Sequence, residues 1–149
     1  MANDFRSFSL SLDDFSKKVG IAASTVQKRV AVDLFKRIVL KTPRDTGRAQ
    51  NSWTIAIGEP DRTVAPEGQQ PEMNRISLEA KAGTALATLT EHGVMGESVW
   101  ISNNLPYITA LEDGHSKRQA PAGMVGLSIE EVKLKMKGLI GEGCKDAGL

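Results

Sequence analysis

The stretch VQKRVAVDLFKRIVLKTPRDTGR, residues 26–48, decides the fold of this chain. Its first part is apolar at helical spacing, with Val30, Leu34 and Ile38 in one row and further apolar side chains at the neighbouring angles. Pro43 ends the helix, because the residue before a proline is pushed out of the helical conformation. A helix that is apolar on two sides is buried on both. Either the chain's own elements or another subunit therefore covers the second side.

Upstream of this stretch, the sequence predicts that the same helix starts at Leu12 and spans residues 12–41. Ser11 and Asp14 form a shortened capping box at its start, with apolar residues on both sides as a hydrophobic staple. Gly20 is the weak point of the helix, and a break there is the competing interpretation. Residues 1–9 are predicted to be an N-terminal arm.

Downstream, two strands and a long loop are predicted. Residues 51–57 alternate between apolar and polar side chains, which is typical of a half-buried strand. Residues 58–72 hold three prolines and two glycines, and they predict a mobile loop of a length often associated with function. Residues 73–89 are ambiguous, because they begin with helical spacing and residues 84–90 could form a strand. Residues 98–102 are predicted to be a short strand.

The last predicted element is a helix that begins at Ser128. Ser128 and Glu131 form a full capping box, and Leu127 and Val132 form its staple. We expect this helix to end near Gly141 or Gly143 and residues 143–149 to be frayed.

These elements predict a single α+β domain over residues 1–149, in which a long N-terminal helix and a C-terminal helix pack against a small, mainly antiparallel sheet with long loops. A chain of this length can bury a core without disulfides, and Cys144 is its only cysteine. The residues predicted to form the core are Val30, Leu34, Phe35, Ile38, Trp53, Ile55, Trp100, Val132 and Met136.

Composition and charge favour a soluble cytoplasmic protein. The chain has 19 basic and 18 acidic residues, a net charge of +1, which argues against a general polyanion binder. No secretory signal and no segment of about 20 apolar residues is visible, so we expect no membrane contact.

The charges are unevenly distributed along the chain. Residues 13–48 carry nine basic and four acidic side chains, whereas residues 49–127 carry five basic and nine acidic ones. Such a dipolar pattern suits subunits whose unlike faces meet. The basic pairs at 28–29 and 36–37 share one helix face, which is either a solvated face or a surface for the DNA backbone.

The residues that could carry catalysis are few. His92 and His115 are the only histidines. The spacing of Glu112 and His115 could supply two metal ligands on a helix, but Gly114 favours a polar loop. Cys144 has no histidine nearby and is interpreted as an incidental thiol. We therefore expect no enzyme, no cofactor, no metal and no small-molecule substrate.

Three stretches together resemble a known family. They are KTPRDTGRAQNSW at residues 41–53, ISNNLPY leading into LEDGHS at residues 101–116, and APAGM at residues 120–124. In this order they resemble the neck, or head–tail joining, proteins of long-tailed bacteriophages, a family that also includes tail-component and tail-completion proteins. The likeness covers roughly residues 10–140.

The resemblance implies a structural protein of the virion, assembled in the host cytoplasm. Such proteins form a homo-oligomeric ring between the head connector and the tail, contact other neck, connector and tail proteins, and surround the channel through which DNA passes. One alternative is a tail terminator or completion ring that caps the tail tube. An alternative of another class is a small DNA-associated protein that uses the basic helix.

The expected contact surfaces are the outer face of the first helix, the loop at residues 58–72 and the loop at residues 114–124. The residues predicted to contact other subunits or partners are Lys28, Arg29, Lys36, Arg37, Arg44, Arg48, Tyr107, Glu112, His115, Lys117 and Arg118.

Overall fold

The computed structural model is dominated by one helix, α1, which runs without a break from Phe5 to Lys41. The structure describes the backbone of residues 5–93 and 97–149 and the side chains of residues 17–91, 93 and 97–149. The helix ends before Pro43, as predicted, and it is continuous at Gly20. Its predicted start is wrong, because the backbone is already helical at Phe5 and Ser11 therefore lies inside the helix. A capping box stabilises a helix start by only about 1 kcal/mol. It therefore does not prevent the helix from extending further toward the N-terminus.

The other elements surround the C-terminal half of α1. Helix α1 contacts α5 (Val125–Asp146) most extensively and also contacts α3 (Arg75–His92), α2 (Arg48–Asn51) and β2 (Val99–Ser102). Both apolar sides of this half are therefore covered within the chain, and only Leu40 remains well exposed among its large side chains beyond residue 30. The elements that follow α1 are α2 (Arg48–Asn51), β1 (Thr54–Ile57), α3 (Arg75–His92), β2 (Val99–Ser102), α4 (Ile108–Glu112) and α5 (Val125–Asp146).

The sheet consists of β1 and β2, paired antiparallel with Thr54 opposite Ser102 and Ile57 opposite Val99. The first strand is shorter than predicted, because residues 48–51 form the short helix α2. The ambiguous segment after the loop is helix α3, and the strand alternative for residues 84–90 is wrong. The Asn74 side chain caps α3 by accepting a hydrogen bond of 2.9 Å from the Ser77 amide. The chain is thus α+β, as predicted, with helices contributing most of the structure.

The core lies where α1 crosses the sheet and the loops that follow it. Phe35, Ile38 and Trp53 are buried there, and Leu34 and Ile55 pack against them. Val132 of α5 is also buried. The remaining buried members of this cluster are Val39, Leu78, Ala120 and Met124.

Trp100 was predicted to lie in the core, and that prediction is wrong. Its side chain is 43% exposed, and its indole nitrogen donates a hydrogen bond of 2.8 Å to the Gly58 carbonyl. Strand alternation explains the difference, because Val99 and Ile101 pack toward α1 and Trp100 points to the other face of the sheet. Val30 and Met136 are half-buried.

Both predicted ends of the last helix are wrong. Helix α5 begins at Val125, three residues before the predicted cap, and continues past Gly141 and Gly143 to Asp146. Ser128 is buried inside the first turns, where its hydroxyl donates a hydrogen bond of 2.6 Å to the Met124 carbonyl. Gly143 is buried against Val26 of α1, so packing rather than helix propensity decides where the helix ends.

Residues 58–72 contain no helix or strand, as predicted, but they are fastened to the rest of the chain. The Ala65 amide donates to Ser52 Oγ at 3.0 Å, and the Asn104 side chain donates to the Asp61 carbonyl at 2.8 Å. The Gln70 amide donates to the Thr46 carbonyl at 2.8 Å. The loop therefore follows a defined path back to the first turn, and its mobility stays a prediction.

No helix within residues 5–93 and 97–149 is long and apolar enough to cross a membrane.

Candidate functional site

The turn after α1 is built around Thr42 and Trp53. The Thr42 hydroxyl donates a hydrogen bond of 2.7 Å to the Ile38 carbonyl and accepts one of 2.8 Å from the Trp53 indole nitrogen. Both side chains are buried. Gly47 has a φ of 84°, a left-handed conformation that favours glycine, and it turns the chain into α2. The helix end predicted at Pro43 is confirmed.

Gln119 connects this turn to the loop at residues 114–124. The Arg44 amide donates to Gln119 Oε1 at 2.6 Å, and Gln119 Nε2 donates to the Arg44 carbonyl at 3.2 Å. One side-chain amide thus satisfies both backbone groups of one residue in the turn. This two-way contact fixes the position of the second loop against the first.

Glu112 connects the end of α4 to the start of α5. Its Oε2 accepts hydrogen bonds of 2.8 Å from the amides of Met124 and Val125, and its Oε1 accepts one of 2.9 Å from the Gly126 amide. These are amides that a helix start leaves without partners. Burial alone would raise the pKa of the Glu112 carboxyl, but the three backbone donors outweigh it and lower the pKa. The cap of α5 is therefore a side chain from outside the helix.

Gly123 permits this close approach. It has a φ of 81°, and a Cβ at this position would collide with the Glu112 carbonyl and side chain. The APAGM stretch is thus held against LEDGHS through Gly123, and the two stretches form one unit with the turn after α1. We call this unit, formed by residues 42–53, 103–116 and 119–126, the motif unit.

The motif unit surrounds a surface cavity of about 480 Å³, whose lining includes Arg44, Arg48 and Tyr107. Arg48 Nε donates to the Ala65 carbonyl at 2.9 Å, and its guanidinium lies 4.0 Å from Glu67. Arg44 lies 3.8 Å from Glu72. Both predicted contact arginines are half-buried and have exposed carboxylates of their own chain nearby.

Several predicted contact residues lie on the surface beside this cavity. Tyr107 immediately precedes α4 and is 42% exposed. His115, Lys117 and Arg118 are exposed on the loop that follows. These side chains lie in one loop region, whereas the predicted basic residues of α1 lie elsewhere.

The basic residues of α1 are engaged in ion pairs within the chain. Arg37 lies 2.6 Å from Glu131 of α5 and 2.8 Å from Asp33, and Lys41 shares Glu131 at 2.8 Å. Hydrogen bonds from Lys41 and Arg37 lower the pKa of the Glu131 carboxyl. The further pairs are Lys36 with Glu79 of α3 at 2.6 Å, and Arg29 with Glu142 and Asp146 of α5.

These pairs join α1 to the two helices packed against it. Lys28 lies beside them, half-buried, in a groove formed with α3 and α5. The basic residues of α1 thus form neither a purely solvated face nor a free basic surface.

Lys81 of α3 is a further cation that the sequence did not single out. Its ammonium donates a hydrogen bond of 3.2 Å to the Asn51 carbonyl and lies 6.0 Å from the centroid of the Phe35 ring. Burial lowers its pKa. It joins α3 to the end of α2, next to the motif unit.

Among the described side chains, those of residues 17–91, 93 and 97–149, no group of three or more from His, Cys, Asp and Glu could hold a metal ion. Glu112 is occupied with the helix start, and His115 is exposed on the following loop. The two residues considered as possible ligands therefore have different surroundings.

The roles of Gln119 and Glu112 in the motif unit were not predicted from the sequence. Gln119 was not singled out, because an amide that bridges a distant turn leaves no periodic signal. Glu112 was expected to contact a partner. The signal that could have revealed its role is the glycine at position 123 just before a helix, which marks a close approach.

A scan against models of known protein families gives no match, and neither do searches of curated proteins and of solved structures.

Proposed function

We propose that the chain is a structural subunit of the neck of a long-tailed bacteriophage, where copies of it join the head to the tail. The observation that carries the proposal is the motif unit. The three stretches that resemble the neck family are far apart in sequence, yet they contact one another through Gln119, Glu112 and Gly123. Residues that depend on one another in this way are expected to occur together as a family signature.

The motif unit is suited to docking. Its backbone is fixed by buried hydrogen bonds at Thr42 and Trp53 and by the capped start of α5. The exposed side chains of Tyr107, His115, Lys117 and Arg118 project from this fixed base. A rigid scaffold with exposed aromatic and basic side chains is typical of a binding surface.

The proposal is of a non-enzymatic role, without a cofactor. Function in this proposal comes from self-assembly, docking to neighbouring virion proteins and passive contact with DNA in the channel. The polar residues of the motif unit, including Thr42 and Glu112, serve its internal hydrogen bonds, which supports a structural part for them.

Experiments on purified virions and on a phage without the gene test the proposal. Mass spectrometry of purified virions should detect the chain, and antibody labelling should place it where the head meets the tail. Deletion of its gene should give separate heads and tails. Absence from particles, or normal joining without the gene, would contradict the proposal, and labelling confined to the upper end of free tails would favour the tail-terminator alternative.

A matched pair of variants tests the docking surface. Lys117→Glu with Arg118→Glu should reduce the yield of joined particles, because it reverses the charge of the motif unit's exposed loop. Lys135→Glu with Lys137→Glu makes the same charge change at exposed positions of α5 and should leave the yield near wild type. Equal effects of the two pairs would contradict docking through this loop.

A further inference from the structure

The cavity of about 480 Å³ at the motif unit is lined by two arginines whose hydrogen-bonding capacity is largely unused. We call it the arginine cavity. The side chain of Arg44 is 33% exposed and that of Arg48 is 22% exposed, so both have lost much of their contact with solvent. Polar groups that lose solvent in this way normally gain hydrogen-bond partners within the fold.

Arg44 gains no such partner for its guanidinium within the described residues. Its Nη1 lies 3.8 Å from Glu72 Oε1, which is beyond hydrogen-bond distance. Its Nε is buried, has no partner in the described part of the chain, and lies 3.5 Å from where a Cβ at Gly47 would be. A buried donor without a partner destabilises a fold. Hydrogen bonds of the chain's own side chains therefore do not explain why Arg44 lies here.

Arg48 also has donors to spare. Its Nε donates to the Ala65 carbonyl at 2.9 Å, and its Nη1 lies 4.0 Å from Glu67 Oε1. The Glu67 side chain is 90% exposed and that of Glu72 is 70% exposed. Exposed pairs of this kind contribute little, so another acceptor can replace either carboxylate at little cost.

The backbone that carries Arg44 is fixed. Gln119 accepts from its amide at 2.6 Å and donates to its carbonyl at 3.2 Å. A ligand of the guanidinium therefore meets a side chain whose base is already positioned, which reduces the entropy lost on binding.

The charges around the arginine cavity favour a single carboxylate as the ligand. The planar fork of an arginine matches the two oxygens of a carboxylate. Asp45 and Glu67 also line the cavity, and both are exposed, so a row of DNA phosphates would meet as many negative as positive side chains. Tyr107 and Leu111 add apolar surface to the lining, against which the methylene groups of an acidic side chain can pack.

We propose that the arginine cavity binds an acidic side chain of a partner protein, whose carboxylate accepts hydrogen bonds from Arg44 and Arg48. It replaces the looser contacts of these arginines with Glu72 and Glu67. The inference deepens the docking part of the proposed function, on which it rests for the existence of a partner, because it names the chemistry that the motif unit recognises. Binding of the carboxylate itself depends only on the cavity and is measured with the full chain alone.

Two short peptides that differ in one side-chain group test the proposal. N-acetyl-Ala-Glu-Ala-amide should bind the full chain saturably, with a Kd in about the millimolar range that suits one small side chain. N-acetyl-Ala-Gln-Ala-amide should bind at least about tenfold more weakly, because its amide carries no charge. NMR spectra of the Nε–H groups of Arg44 and Arg48 follow the binding, at constant ionic strength so that charge screening does not change.

Lysine variants show whether the two arginines hold the carboxylate. Arg44→Lys and Arg48→Lys keep the charge but remove the fork, and each should weaken binding of the glutamate peptide at least about fivefold. Arg75→Lys is the matched control, because Arg75 is exposed on α3 and does not line the cavity. It should leave the Kd unchanged. Circular dichroism shows that each variant is folded, and the comparison of the two peptides on the wild-type chain needs no variant.

Three results would overturn the proposal. They are equal affinity for the two peptides, no saturation up to about 100 mM glutamate peptide, and tighter binding of inorganic phosphate or of a DNA duplex at these two arginines. A chain that binds the glutamate peptide through Arg44 and Arg48 but is absent from virions would support the carboxylate site and contradict only the neck role. A chain that is present in virions but does not bind the peptide would contradict only the carboxylate site.

Discussion

Glu112 shows how one side chain can organise two elements. It ends α4 and also accepts the first amides of α5, which approach within 2.8–2.9 Å. Charged acceptors at a helix start are favoured by the free amides and by the helix dipole. The geometry of the motif unit therefore depends on this carboxylate.

We expect Glu112→Gln to lower the free energy of unfolding by about 0.5–2 kcal/mol near neutral pH, the usual cost of a lost cap. The effect should depend on pH. The folded pKa of Glu112 is lowered, so its contribution is present above the unfolded pKa and is lost as the pH falls through the folded pKa. Urea unfolding at about pH 7 and about pH 3 should show a difference between variant and wild type that shrinks at the acid pH.

Glu130→Gln is the control for this prediction. Glu130 is exposed on the same helix and, within the part of the chain that the structure describes, pairs with Lys133, one turn away. Surface pairs of this kind contribute little. A variant of Glu112 that behaves like Glu130→Gln at both pH values would show that the cap does not stabilise α5.

The two tryptophans provide a second comparison at the residue scale. Trp53 is 5% exposed and donates to Thr42, whereas Trp100 is 43% exposed. Trp53→Ala should lower the free energy of unfolding by about 3–5 kcal/mol. Trp100→Ala should cost about 1 kcal/mol or less. Urea unfolding followed by circular dichroism checks both, and equal costs would contradict the assignment of Trp53 alone to the core.

At this scale, the sequence predicted residues whose role follows from a pattern. Phe35, Ile38 and Val132 lie on periodic apolar faces and are buried as expected. Trp100 follows the same kind of pattern and is exposed, because a two-stranded sheet leaves one face with few neighbours. Which face is covered depends on the packing of distant helices, and a local pattern does not contain that information.

At the scale of elements, α1 and α5 approach each other closely at Gly143. A Cβ at this position would collide with the Val26 side chain and would lie 3.2 Å from the Val26 amide nitrogen. Gly141, two residues earlier, has open space around its Cα. The two glycines thus lie in the same helix but in different surroundings.

We expect Gly143→Ala to destabilise the fold by about 1–3 kcal/mol, because α1 and α5 must move apart. Gly141→Ala should instead stabilise it by about 0.5–1 kcal/mol through helix propensity. Thermal unfolding of both variants measures the difference. A stabilising Gly143→Ala would contradict the close packing of the two helices.

The contact at Gly143 also explains which element boundaries could be predicted. The end of α1 was correct because Pro43 acts through its own covalent geometry. The boundaries of α5 were wrong because they depend on Glu112 at one end and on Val26 at the other, which are distant in sequence. A capping box at Ser128 is a local signal, and here a partner from outside the helix overrides it.

At the scale of the whole molecule, unlike charges are largely satisfied within one chain. The basic segment 13–48 and the acidic segment 49–127 suggested subunits with complementary faces. In the structure, α1 meets carboxylates of α3 and α5 through Arg29, Lys36, Arg37 and Lys41. Lys36 pairs with Glu79 of the acidic segment 49–127, and the other three cations pair with α5, so these ion pairs join elements of one subunit.

This pairing leads to a prediction about DNA. Binding of duplex DNA releases counterions in proportion to the cations that contact phosphates, with a log–log salt slope of about −0.9 per contact. Because four cations of α1 are paired with carboxylates, the wild-type chain should show a slope no steeper than about −2. Fluorescence anisotropy with a labelled duplex at several salt concentrations measures it.

Removing the carboxylates that other elements contribute should steepen the slope by about 2–3 units, because it frees Arg29, Lys36 and Lys41 to contact phosphates while Arg37 keeps Asp33. The variant replaces Glu79, Glu131, Glu142 and Asp146 with their amides. A control makes the same charge change at exposed acidic residues outside this network, at Glu59, Glu91, Glu97 and Asp113, and should steepen the slope much less. A steep slope in the wild type would contradict the prediction, because it would mean that α1 exchanges its carboxylate partners for phosphates, and it would favour a DNA-associated protein.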